Sequence, residues 1–302
     1  MSAVATDPAT ATRERDLAIA WMNRGHALAL QDDAHALAAA LDAYNEAVSR
    51  LRPLATGSAP ASWTNSLGAA LLNRGQLLHR LHGTAQATVA LAAFDEAAGL
   101  LRPLVASSDL RAAPWPRRNL AGVLLNRATL LLDLGRLDSA RADAAEALAL
   151  SRPHEHADTT DADLALKARR ALCAALGRLI VAPEADQEAI AREASDLVDD
   201  GLALARHWTD RGAAQPRELA LRLFRFGAEL YRRHQPHFLA EFLAENLRTP
   251  DPELSTIARE TVDAALTDRP RDLEYLRVGD STTERHLRTV HELRQLRSLF
   301  PA

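Results

Sequence analysis

Leu41-Asp42-Ala43-Tyr44-Asn45-Glu46-Ala47-Val48-Ser49-Arg50-Leu51-Arg52-Pro53-Leu54 is answered 50 residues later by Leu91-Ala92-Ala93-Phe94-Asp95-Glu96-Ala97-Ala98-Gly99-Leu100-Leu101-Arg102-Pro103-Leu104, with 8 of the 14 positions identical. A third copy, Ala145-Glu146-Ala147-Leu148, closes on Arg152-Pro153 at the same offset. A fixed period of this size marks an array of similar units in place of one globular core. Within the copy, Leu41, Tyr44, Ala47, Val48 and Leu51 fall on one face of a helix and do not alternate as a strand would. Arginine at the end of the stripe suits the negative C-terminal pole of a helix, and the following proline predicts its stop.

A second element precedes each copy: Ala20-Trp21-Met22-Asn23-Arg24-Gly25-His26-Ala27-Leu28, then Ala70-Leu71-Leu72-Asn73-Arg74-Gly75-Gln76-Leu77-Leu78, then Val123-Leu124-Leu125-Asn126-Arg127-Ala128-Thr129-Leu130-Leu131. Each unit is therefore expected to be a pair of helices. Loops rich in small residues and proline separate the units, around Thr56 to Pro60 and Ser107 to Pro116, and Pro116 suits the first turn of the next helix. Weaker echoes at Arg169-Arg170-Ala171 and Val198-Asp199-Asp200-Gly201-Leu202 suggest a degenerate fourth pair. Leu223 to Leu230 opens a fifth, whose second helix is expected to begin at Pro236. A last helix is expected over about Thr283 to Phe300, with Leu287, Val290, Leu293 and Leu296 at helical spacing, and it would cap the open end of a stack. Pro153 to Thr160 reads as a flexible link between halves.

Composition agrees. The chain of 302 residues is 47% hydrophobic, mostly Ala and Leu, and only 4% aromatic, which favours helix over strand. Its net charge of −4 argues against a general nucleic-acid binder. A single cysteine, Cys173, leaves no disulfide framework or thiolate zinc site, and its apolar neighbours predict buried packing. The histidines come in pairs, 79/82, 154/156, 234/237 and 286/291, without the further ligands a metal needs, so neither metal nor cofactor is expected. No secretory leader or apolar span is read, and a cytoplasmic protein that engages no membrane is expected.

Trp21-x-Asn23-x-Gly25-x-x-Leu28, together with Asn126-Arg127-Ala128, Gly135-Arg136-Leu137-Asp138-Ser139-Ala140 and Ala147, resembles the tetratricopeptide repeat. The chain departs from that family in period, 50 residues where the family has about 34. Longer loops between units, and about three extra residues in the turns of the first two, account for it. The resemblance implies an all-α fold, an α-α superhelix of stacked, right-handed helical hairpins. It gives three repeats over residues 13–153 after a disordered N-terminus (1–12), and a divergent helical continuation over 161–302. It also places Gly25, Gly75, Ala128, Ala140, Ala47, Ala97 and Ala147 where paired helices pack closely, so that larger side chains would overpack them.

The resemblance further implies a non-catalytic protein-protein interaction module, a scaffold that binds an extended peptide or partner protein along its first helices. Asn23, Asn73 and Asn126 recur at one place and would form a ladder. An asparagine amide can pair with any peptide unit, and layers about 10 Å apart would meet every third residue of a chain rising about 3.3 Å per residue. The same asparagines could instead brace neighbouring helices. The helical face they share adds His26, Gln76, Arg80, Thr129 and Asp133, and the degenerate units add Arg169, Arg225 and Arg232. Its arginines would suit an acidic group on the ligand; a lysine-based carboxylate clamp is not implied, since Lys167 is the only lysine. Arg24, Arg74 and Arg127 are expected to pair with Glu46, Glu96 and Glu146 inside each unit. Trp63 and Trp115 are expected to be buried as staples before their helices. An alternative is an enzyme or enzyme subunit using Arg225, Arg232, Glu229 and Tyr231 between the two halves. A further one is a peptide-responsive regulator, disfavoured because about 15 residues before the first repeat leave no room for a DNA-binding domain. Neither partner nor oligomeric state is legible.

Overall fold

The computed structural model describes residues 7–31, 33–56, 59–107, 114–182, 185–213, 216–247, 251–268 and 281–300. Among them the secondary structure is entirely helical: α1 (Pro8–Ala29), α2 (Ala34–Leu51), α3 (Ala61–His82), α4 (Ala87–Ala106), α5 (Pro114–Asp133), α6 (Leu137–Ser151), α7 (Thr159–Leu179), α8 (Gln187–Thr209), α9 (Pro216–His234), α10 (Leu239–Asn246), α11 (Pro252–Asp268) and α12 (Ser281–Ser298). The chain divides inside α7 into two compact units, 1–171 and 172–302. None of the described helices is long and apolar enough to cross a membrane.

Helix starts are fixed by aspartates, whose carboxylates accept the first free backbone N–H groups. Asp33 accepts from the amides of His35 and Ala36 at 2.9 and 3.0 Å; Asp158 does so at α7 and Asp251 at α11. Asp7 caps α1, so residues 8–12 of the segment expected to be disordered are helical, and 1–6 lie outside the described residues. The turn from α5 to α6 needs Gly135 at φ 71°, a left-handed conformation that a Cβ would strain. Around it the amide of Arg136 reaches back to the carbonyl of Leu131 at 2.8 Å and ties off the helix end.

In the first unit, α1 packs on α2, α3 on α4 and α5 on α6, while α2 also meets α3 and α4 meets α5. The expected stripe is buried: Tyr44, Ala47, Val48 and Leu51 in α2, Phe94, Ala97, Ala98 and Leu101 in α4, Ala144, Ala147, Leu148 and Ser151 in α6. Leu41 is half-buried. Large and small side chains complement each other between paired helices. Gly25 lies so close to the ring of Tyr44 that a Cβ would stand 2.7 Å from it, and at Gly75 a Cβ would stand 2.6 Å from the ring of Phe94. In the third pair the same two positions are Ala128 and Ala144, both fully buried. The three extra residues of the first pair lengthen a helix and not a turn, since α2 starts at Ala34, twelve residues before Glu46, whereas α6 starts at Leu137, nine before Glu146. Pro103 does not stop its helix either, because α4 runs on to Ala106. With so few turns left, the missing amide of Pro103 costs the helix only a bond near its end.

The polar repeat positions pair differently from expectation. Arg52 meets Glu96 bidentately at 3.0 and 2.7 Å, and Arg102 meets Glu146 at 3.0 and 2.9 Å. These pairs stitch one second helix to the next and are not internal to a unit. Arg74 donates to the amide oxygen of Asn45 at 2.7 Å and Arg24 lies 4.9 Å from the Trp21 ring centroid. Only Arg127 finds an acid in its own unit, and it is Asp143. Side-chain length explains the outcome: the buried faces of paired helices are filled with alanine and rings, which pushes guanidinium groups to the edges, where Arg52 and Arg102 reach acids of the neighbouring unit.

The expected flexible link is ordered. Glu155 is buried and takes the guanidinium of Arg169, itself 1% exposed, at 2.7 and 3.1 Å. Asp161, equally buried, accepts from both Arg117 and Arg118. Burial pushes the Asp161 carboxyl up, but the two guanidiniums outweigh it and hold it below the ordinary carboxylate value.

The second unit, taken by itself, packs α9 against α8, α10 and α11, and α12 against α10 and α11. Gly227 admits Val198 and Phe242 as Gly25 admits Tyr44. α10 starts at Leu239 and not at Pro236, and Cys173 is buried as expected. Trp115 is not, being 63% exposed at the start of α5.

Gly75→Ala alone is expected to destabilise the fold by about 1–3 kcal/mol through overpacking, and Phe94→Ala by about 3–5 kcal/mol through a cavity. The double variant, which recreates the Ala128/Ala144 pair, should cost less than their sum in urea unfolding; strict additivity would show that the two positions do not share volume. Glu155→Gln should cost about 3–5 kcal/mol by removing the carboxylate charge that faces a buried guanidinium, against at most about 1 kcal/mol for Glu96→Gln at the surface. Because the folded value of Asp161 is depressed, its contribution is present at neutral pH and lost as pH falls below about 4. The stability gap between the wild type and Asp161→Asn should therefore narrow in acid, which urea midpoints at pH 7 and pH 3 would measure.

Candidate functional site

The expected binding residues belong to the first helices of the repeated pairs, and α1 approaches α3 as α3 approaches α5. Four of them meet. His26 of α1 and Asn73, Gln76 and Arg80 of α3 line one open recess of about 260 Å³, together with Ala29, Leu30, Tyr44 and Leu77. Its floor is built by the buried Tyr44 and Leu77, and its wall includes Leu30, 72% exposed to solvent. The geometry follows from packing: Gly25 lets the ring of Tyr44 slide under α1, and the space beyond that ring is the recess. Arg80 donates to the carbonyl of Ala29 at 3.0 Å, tethering the C-terminal end of α1 to α3. Among the described residues no carboxylate lines the recess, and its ionisable lining side chains are His26 and Arg80, with the buried Tyr44 at its floor.

The other expected residues lie elsewhere. Asn23 is exposed on α1 one turn before His26 and does not line the recess. Asn126 donates to the carbonyl of Gly122 at 2.8 Å and Thr129 to that of Leu125 at 2.9 Å, both within α5. Their side chains brace their own helix, as polar groups in helices often do. Asp133 accepts from His79 at 2.8 Å and joins α5 to α3, and Asn119 and Asn65 join the same two helices at 3.0 Å. Arg169 is withdrawn from any surface by its burial against Glu155. Arg225 lies on α9 facing α11, in a shallow recess with Glu253 and Glu260. Arg232 is held by Glu229 at 2.8 and 2.7 Å.

Of the alternative catalytic set, Arg232 and Glu229 pair with each other, and Tyr231 and Arg225 line separate recesses. Glu229 is occupied by Arg232 and Arg233, which hold its carboxyl below the ordinary value. Tyr231 is buried and donates to Asp199 at 3.2 Å, its hydroxyl pushed up to about 12 by burial. Arg225 lines a different recess from Tyr231. The sequence assigns Tyr44 and Leu77 to no binding role. Their part in the recess depends on how three helices meet, for which a periodic stripe carries no signal.

In comparisons with known proteins, no family model matches the chain and no curated protein is similar enough to count as a relative.

Proposed function

We propose that residues 13–153 form tetratricopeptide-like repeats and that the chain is a non-catalytic interaction module, which holds an extended segment of a partner protein over the face of α1, α3 and α5. The observation that carries this reading is the meeting of His26, Asn73, Gln76 and Arg80 around one recess with an apolar floor. An apolar side chain of the ligand would enter over Tyr44 and Leu77. The amides of Asn73 and Gln76 offer both donors and acceptors to its backbone, and Arg80 with His26 favours an acidic neighbour. A superhelical stack is supported by the spacing of the layers. The first helices approach one another directly, whereas the second helices are bridged by the long pairs Arg52–Glu96 and Arg102–Glu146, which would curve the array toward the α1, α3 and α5 side.

Panning a random peptide library on the full chain should enrich sequences with a large apolar residue near a carboxylate. Leu30→Asp, and separately Asn73→Ala with Gln76→Ala, should each weaken the enriched peptides about tenfold, the equivalent of one or two hydrogen bonds or a lost apolar contact, with unchanged helical circular dichroism. Undiminished binding to both variants would sink the reading.

A further inference from the structure

A recess of about 770 Å³ in the second unit opens between α8, α9 and α10 and differs in character from the one on α1 and α3. Its apolar part is aromatic. Tyr231 and Phe242 are buried with ring centroids 4.6 Å apart, and Phe242 stacks on Phe224 beneath them. Phe238, 47% exposed, stands at the mouth, braced by His237 at 4.2 Å. A phenylalanine left open over a recess, with a fixed aromatic layer behind it, is a surface that apolar stems and cations both favour.

Its polar part is anionic. Asp196 and Asp199 project from α8, and Glu241 and Glu245, one turn apart, from α10 across the recess. Glu188 at the rim is matched by Arg192 at 3.0 Å, and Glu245 lies 3.9 Å from Arg206. Asp196 and Glu241 form no ion pair among the described residues. Desolvation raises the Asp199 carboxyl, and Glu245, Asp196 and Asp200 raise it further although the Tyr231 hydroxyl opposes them. Four carboxylates are thus held around one recess in which the protein supplies too little countercharge, beside aromatic faces that the fold keeps ordered.

We propose that this recess binds an aliphatic cation, an arginine or lysine side chain of a partner polypeptide or a free polyamine, with its charge between Asp196, Asp199, Glu241 and Glu245 and its stem on Phe238. A guanidinium satisfies the geometry best, since its planar fork pairs bidentately with a carboxylate while its face stacks on a ring. The inference is independent of the recess on α1 and α3, which has a different lining.

Calorimetric titration of the full chain would use two probes, spermidine and the capped peptide acetyl-Arg-Gly-Arg-Gly-Arg-amide, at low and moderate salt. Saturable binding of at least one probe is expected. It should weaken at least tenfold in Asp196→Asn with Glu241→Gln, both exposed positions, and severalfold in Phe238→Ala, while Glu218→Gln with Glu253→Gln, which removes the same charge from the recess between α9 and α11, leaves it unchanged. Binding of spermidine alone assigns the site to free polyamines, and binding of the peptide alone or more tightly assigns it to a polypeptide side chain. The proposal is overturned if neither probe binds, or if the control pair weakens binding as much as the recess pair, which would reduce the effect to general charge attraction.

Discussion

The first unit depends on one steric constraint: a helix can carry a ring on its buried face only where its partner gives up a side chain. Gly25 against Tyr44 and Gly75 against Phe94 bring backbone and ring within van der Waals reach, and Ala128 with Ala144 reach the same total by sharing. Close approach of this kind is what lets alanine, with little area of its own, contribute to a core. It also decides where charge can go. Helices packed so closely leave little room for guanidinium groups between them, and Arg52 and Arg102 reach outward to the next unit while Arg127 finds Asp143 at the edge of its own pair. The ring admitted under α1 becomes the floor of the recess that His26, Asn73, Gln76 and Arg80 surround.

The ion pairs fall into two kinds. The exposed bridges Arg52–Glu96 and Arg102–Glu146 are each of a kind that contributes little, yet they recur at the same place and set the register between successive second helices. The buried pairs are fewer and more consequential. Arg169 with Glu155, and Asp161 with Arg117 and Arg118, anchor the start of α7 to the repeats before it. Their loss would leave uncompensated charge in the interior. A segment that reads in the chain as a polar, proline-containing break is therefore tied into the first unit by buried ion pairs.

The two recesses are built from different materials and differ in charge. One has His26 and Arg80 beside an aliphatic and tyrosine floor, the other a ring of carboxylates beside phenylalanine. Neither can be read from net charge, which averages over both.

Periodicity by itself determined a good deal: helix as the secondary structure of the described residues, the pairing of consecutive helices in the first unit, the buried positions 44, 47, 48 and 51 and their counterparts, and the need for small residues at 25, 75 and 128. These are local facts, since a 3.6-residue repeat records which side of a helix meets apolar matter. Tertiary structure alone decided the polar partners. Arg52 and Glu96 are 44 residues apart, and the three asparagines that look equivalent in sequence diverge: Asn23 stays exposed, Asn73 enters the recess and Asn126 bonds to its own helix. Arg169, expected at the surface, is 1% exposed and among the largest fully buried side chains of the described residues. A stripe tells which face is buried but not which neighbour a long side chain will meet, because a guanidinium reaches several ångströms beyond its backbone and settles wherever packing leaves an acid within that reach.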